Sequence, residues 1–99
     1  MNKPIKISKC ADRSICTVEA RVASITFSAR SESPYVKATL RDDSGSLLIT
    51  WLGRKVIGGV AVGETIQVTG MVSLGTGYPQ MINPRYQLLK ENPQEIFLD

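Results

Sequence analysis

The sequence predicts an all-β fold: a five-stranded Greek-key barrel with a short helix or turn between strands three and four. Three observations lead there. Apolar and polar residues alternate at period two through most of the chain, the signature of half-buried strands. Turn-forming stretches separate most of the alternating runs. The first run is long and slips phase midway, as a strand must if it bends to serve two sides of a barrel.

The first strand is read in "ICTVEARVASITF". Cys16, Val18, Ala20 and Val22 face one way, and Thr17, Glu19 and Arg21 the other. Ile25 and Phe27 continue the apolar face one residue late, so a β-bulge is expected near Ala23-Ser24. "SARSESP" is a polar turn. In "YVKATLR", Val36, Ala38 and Leu40 are inward, while Tyr35, Lys37, Thr39 and Arg41 are outward. "DDSG" is a turn in which Gly45 can take positive φ. In "SLLITWL", Leu47, Ile49 and Trp51 alternate with Leu48, Thr50 and Leu52, which makes Trp51 the large residue of the core. "GRKVIGGVAVG" interrupts the pattern with a loop or one to two helical turns. "ETIQVTGMV" resumes it, with Ile66, Val68, Gly70 and Val72 inward. After the turn "SLGTGYP", the fifth strand is "QMINPRYQLL". Pro84 cannot donate to a ladder, so it marks an edge or a bulge. Tyr86 shares its phase with Ile82 and Leu88 and is expected in the core, with Arg85 outward.

A Greek-key barrel of the OB type suits this order, because its first strand bends and its helix lies between strands three and four. The SH3-like barrel, the rival, has no need of an eleven-residue insert there. The division expected is a flexible basic leader over 1–13, the barrel domain over 14–90, and a short acidic-apolar tail over 91–99.

The 99 residues carry a net charge of +3. Glu91, Glu95 and Asp99 fall in the last nine residues, leaving twelve Lys and Arg against six acids over 1–90, a net +6. A basic body fits a polyanionic partner, although an ordinary solubilising surface carries similar charge. With no histidine and two cysteines, zinc fingers, zinc hydrolases and histidine-based triads are excluded. Cys16 reads as a small buried apolar residue. No apolar window is long enough to span a membrane, and no secretory signal is evident, so a cytoplasmic location is the expectation.

The ordered pieces "VxARVxSI", "ATLRDDSGSLLITWLG" and "VGETIQVTGMVSLGTGYPQMINPRYQLL" resemble the OB-fold nucleic-acid-binding family. They are closest to small stand-alone bacterial OB proteins and to the wedge domain of RecG-type helicases. The resemblance covers about residues 15–90. Its most specific parts are the Asp-x-Ser-Gly turn, the Trp-Leu-Gly ending strand three, and "INPRY". Relatives usually carry Gly where this chain has Ala20. The resemblance implies binding of single-stranded or junction nucleic acid without catalysis, and no helicase motor is present to transfer that activity.

An OB barrel binds nucleic acid with cations along the phosphates and flat side chains against the bases, using the outer face of strands two and three and the flanking loops. On this chain those positions are Arg30, Tyr35, Lys37, Arg41, Arg54, Lys55 and Tyr78, with Arg85 outward on strand five. Tyr35 and Tyr78 are read as base-stacking groups, and Lys37, Arg41 and Arg54 as phosphate contacts. Tyr35 beside Pro34 equally suits capping of the barrel end, and Arg54-Lys55 equally suits a solvated turn.

No enzymatic chemistry is expected. Asp42-Asp43 reads as turn chemistry with no third ligand, "GTG" is too short for a phosphate cradle, and no serine has a histidine base. No metal or cofactor is expected. The partner is single-stranded DNA or RNA, with a possible protein partner at the apolar tail Ile96-Phe97-Leu98, which equally suits packing on the barrel. Lys3, Lys6 and Lys9 suit either a cationic arm or a solubilising leader. The second functional reading is a protein-interaction barrel, favoured by the outward Leu48 and Leu52.

Overall fold

The computed structural model describes residues 3–28, 32–75 and 77–89. Six strand segments form one curled sheet: β1 (Ile15–Ser28), β2 (Tyr35–Asp42), β3 (Gly45–Leu52), β4 (Thr65–Met71), β5 (Gln80–Ile82) and β6 (Arg85–Leu88), in the order β5-β3-β2-β1-β4-β6. β5 and β6, at the two edges, are consecutive in the chain and separated by Asn83 and Pro84 alone. They are two halves of the predicted fifth strand, and their covalent continuity curls the sheet into a barrel. The neighbouring order β3-β2-β1-β4 is that of a Greek key.

β1 does what its phase slip predicts. Its first half pairs antiparallel with β4 from Ile15↔Met71 to Arg21↔Thr65. Its second half pairs with β2 from Arg21↔Arg41 to Ser28↔Tyr35, with a register shift between Val22 and Ser24. The bulge residue Ala23 adds local twist and bends the strand from one side of the barrel to the other.

The inward residues of β1 to β4 make the core: Val18, Val22, Val36, Leu40, Leu47, Ile49, Ile66 and Val68 are all buried. Each such side chain contributes about 1.5–3 kcal/mol on burial. Trp51 is 4% exposed; its indole N–H donates to the Pro84 carbonyl (3.0 Å), and its ring meets Tyr86 edge-on at 5.5 Å.

The kink between β5 and β6 corrects one detail of the sequence reading. Ile82 is exposed and Met81 is buried, so the phase carried back from Tyr86 and Leu88 fails at Ile82. Asn83 takes the left-handed conformation (φ 52°), and the chain resets there. The Asn83 N–H donates to the Thr50 carbonyl (2.7 Å), and its side-chain oxygen accepts the Leu52 N–H (2.8 Å). β5 therefore pairs parallel with β3, and β6 antiparallel with β4. Pro84 turns inward against Gly70, where a Cβ would lie 3.2 Å from the proline ring and 3.3 Å from Met81 Sδ.

Between β3 and β4 the chain forms turns with no helix. Ile57 and Val60 are buried, and the Tyr86 hydroxyl donates to the Gly58 carbonyl (3.0 Å), tying the loop to β6.

The expectation of a flexible leader over 1–13 does not fit residues 3–13, which pack on the barrel. Ile7 is 1% exposed and opens a single turn of 3₁₀ helix, Ile7–Lys9. Ile5 and Ile7 alternate over too short a stretch to signal a strand, and the hairpin turn supplies the polar partners of this segment. The Ile7 N–H donates to Asp42 Oδ2 (2.9 Å), the Ser8 N–H to Ser44 Oγ (3.0 Å), and Lys6 pairs with Asp43 (2.8 Å). Farther along, the Leu74 N–H donates to Asp12 Oδ1 (2.8 Å). Cys10 is buried, as is Cys16, and burial first, with the Cys16 thiol second, pushes the Cys10 thiol up to about 12. It remains a neutral, apolar thiol at physiological pH.

Candidate nucleic-acid interface

The outer face of β2 and β3 is set by pleat alternation and by their continuous antiparallel register, Tyr35↔Leu52, Lys37↔Thr50, Thr39↔Leu48 and Arg41↔Ser46. Tyr35, Lys37 and Arg41 share this face, as the alternation predicts. Six residue steps of strand lead from Tyr35 to Arg41, so the face is about 20 Å long between them.

At the hairpin end, Thr39, Arg41, Ser46, Leu48 and Tyr78 line a surface depression of about 410 Å³. Tyr78 comes from the loop between β4 and β5. Gly77 before it takes φ 99°, a conformation closed to most side chains, and its N–H donates to the Leu74 carbonyl (3.0 Å). This turn delivers Tyr78, 52% exposed, to the β2–β3 face. Arg41 is exposed, and its Nε–H donates to Ser46 Oγ (3.3 Å). The depression is thus lined by an aromatic ring, an aliphatic side chain, a guanidinium and three hydroxyl-bearing residues. An exposed tyrosine ring can stack on a flat aromatic group and a guanidinium can hold an anion, so the depression has the chemistry for both. Thr39, Ser46 and Leu48 were not among the expected contacts, although their outward phase was readable.

At the far end of the face the chemistry differs. Lys37 Nζ lies 5.2 Å from the centre of the Tyr35 ring, a cation–π contact, and Tyr35 is half-buried. Arg54 and Lys55 are exposed beyond this end, where Gly53 (φ 76°) closes the strand by donating its N–H to the Pro34 carbonyl (2.9 Å). Leu52 and Ile82 are each 54% exposed; Leu52 stands opposite Tyr35, and Ile82 is paired in register with Thr50.

Arg85 lies elsewhere. It pairs with Thr69 of β4 and lines a separate depression of about 270 Å³ with Gln67, Thr69, Tyr86 and Gln87. Tyr86 packs inward on Trp51, so no exposed aromatic accompanies this cation. Strand five crosses to β4 after the kink, and outward phase there means outward on the other side. Arg30 and the tail 91–99 lie outside the described residues.

The paired aspartates are structural. Burial opposes ionisation of Asp42, but the Ser44 hydroxyl and the backbone N–H groups of Ile7, Ser44 and Gly45 donate to its carboxylate. Together they hold it below the usual carboxylate range. Asp43 binds Lys6, whose pKa is raised by that hydrogen bond and by the charge of Asp43. Among the described residues no group of three His, Cys, Asp or Glu side chains converges to hold a metal. No described helix is long and apolar enough to cross a membrane.

A family model described as an OB-fold nucleic acid binding domain matches residues 16–89. No curated protein matches the sequence. Among solved structures, the chain is similar to the second OB-fold domain of replication protein A from Methanococcus maripaludis. The TM-score is 0.71 at 20% identity, covering 91% of this chain and 98% of that one. It is also similar to the structure of yeast Stn1 and Ten1, with a TM-score of 0.61 at 13% identity, covering 83% of this chain and 46% of that one. A third similar structure is the OB domain of Ta0387 from Thermoplasma acidophilum, with a TM-score of 0.56 at 12% identity, covering 89% and 83% respectively.

Proposed function

The chain belongs to the family of OB-fold nucleic acid binding domains, and on that premise we propose that it binds single-stranded nucleic acid along the outer face of β2 and β3, without catalysis of its own. The observation that carries this reading is the convergence of Tyr78, Arg41 and Leu48 on one depression from separate parts of the chain. Stacking on Tyr78 is indifferent to base identity because every base has a π-face, so recognition tolerates sequence. Arg41 holds the backbone at the same place, and Lys37 supplies a second cation about 14 Å along β2. The net +6 over residues 1–90 attracts a polyanion before contact is made.

The test is fluorescence anisotropy with labelled single-stranded DNA and RNA over a salt series. Binding weakens with rising salt, log K falling by about 0.7 per phosphate contacted for each tenfold rise in salt. No binding of either polymer at low salt rejects the proposal.

One observation favours a second reading. Leu52 and Ile82, both half-exposed, lie towards the Tyr35 end of the same face, where a phosphate backbone gains nothing from them. Under this reading the face docks an apolar protein segment. Leu52→Ser with Ile82→Ser then removes protein binding, and the wild type binds neither oligonucleotide at low salt.

A further inference from the structure

Arg21 is outward on β1, as its phase predicts, and its partner across the sheet is Arg41. Two arginines directly opposite in a ladder repel each other. The only ion pair among the described residues joins Lys6 to Asp43, so neither arginine has a carboxylate within reach there. The nearby acids are otherwise placed. Asp42 accepts from Ile7, Ser44 and Gly45, and Glu19 stands two residues along β1 opposite Gln67.

A second depression, about 350 Å³, lies beside this pair and is lined by Arg21, Val22, Ala23, Arg41, Val62 and Gly63. It shares Arg41 with the Tyr78 depression, so the two are contiguous through one guanidinium. The bulge at Ala23 opens the sheet here, and Gly63 leaves its rim bare, with no atom within 4 Å of where a Cβ would stand. Two arginines in register that line one open depression suit one phosphate, which can accept from both and convert their repulsion into attraction, with Arg41 also donating its Nε–H to Ser46 Oγ.

We propose that Arg21 and Arg41 clamp one phosphodiester of the bound strand and carry it off the β2–β3 face, across the β1 bulge, towards the loop between β3 and β4. This rests on the nucleic-acid reading above and adds a path and a residue to it. The strand passes from Tyr78 over Arg41 to Arg21.

Two measurements test it. In anisotropy with a labelled oligothymidylate twelve nucleotides long, Arg21→Gln lowers affinity and reduces the salt slope by about 0.7, the loss of one phosphate contact. Its thermal midpoint equals or exceeds that of wild type, because a repulsion is removed. In NMR, titration of the wild type with inorganic pyrophosphate shifts the Nε–H signals of Arg21 and Arg41 together, along with the amides of Ala23 and Gly63. Pyrophosphate shifts that are absent, or spread evenly over the exposed cations, overturn the clamp. Pyrophosphate binding with an unchanged slope in Arg21→Gln makes the pair a free-anion site and overturns the strand path. Wild-type binding with an unaltered variant removes this inference and leaves the proposed function standing, whereas no wild-type binding removes both.

Discussion

The two faces of the β2–β3 pair use the same backbone for opposite ends. Inward, Val36, Ala38, Leu40, Leu47, Ile49 and Trp51 are buried. Outward, Tyr35, Lys37, Thr39, Arg41, Ser46 and Leu48 lie open or half-open, one residue out of phase. Both faces carry an aromatic anchor. Trp51 has every group satisfied within the protein, by Pro84 and Tyr86. Tyr78 presents half its surface to solvent beside a cation. The pleat thereby separates the residues that hold the core from those proposed to bind, and substitutions on one face are expected to leave the other's property largely untouched.

The largest expected effect is on the inner face. Trp51→Ala costs about 3–5 kcal/mol of stability, read from denaturant unfolding, and oligonucleotide affinity per folded molecule changes only as far as the Pro84 kink relaxes. An equal loss of intrinsic affinity with no loss of stability would place Trp51 in the site. Gly70→Val comes next. The added atoms meet Pro84 and Met81, and overpacking of this kind costs roughly 1–3 kcal/mol, visible as a lower thermal midpoint. On the outer face, Tyr78→Ala lowers single-strand affinity by about 1–3 kcal/mol with an unchanged midpoint; a shifted midpoint would make Tyr78 a packing residue and collapse the contrast.

The pH dependence follows from Asp42. Its carboxyl titrates lower in the folded protein than in the unfolded chain, where the value is about 4. Its stabilisation is therefore present above pH 4 and lost as pH falls through the folded value. Asp42→Asn is less stable than wild type at neutral pH, and the gap narrows as the solution is acidified below about pH 4. Hydrogen exchange at Ile7 and Ser8 reports the same loss locally. The smallest effect is at Arg85→Gln, which changes affinity and the salt slope least among the cations tested, because β6 carries it to the far side of the barrel. A full one-contact loss of slope there would extend the interface onto β4.

Much of this contrast was legible from alternation. The inward and outward sets of β2 and β3, the core position of Trp51 and the bulge beside Ala23 all follow from period-two patterning, because a pleated strand leaves no other option. Three things were not. The phase of Ile82 was carried through Asn83-Pro84 as if the strand were regular, but a left-handed Asn resets it. Ile7 reads as part of a leader, because Ile5 and Ile7 among lysines are too short a run to establish a strand. Arg21 was correctly outward, yet nothing local says which residue stands across from it.

The amino-acid pattern by itself determined which residues face inward, where the strands turn, and that a basic barrel with few aromatics results. Those are properties of neighbours along the chain, governed by sterics and the pleat. The tertiary structure alone decided that Tyr78 meets Arg41, that Arg85 does not, that Arg21 faces Arg41, and that Asp42 anchors Ile7. Those are properties of register and closure, which arise only when segments distant in sequence share one sheet and a single kink sends the last strand to its two edges.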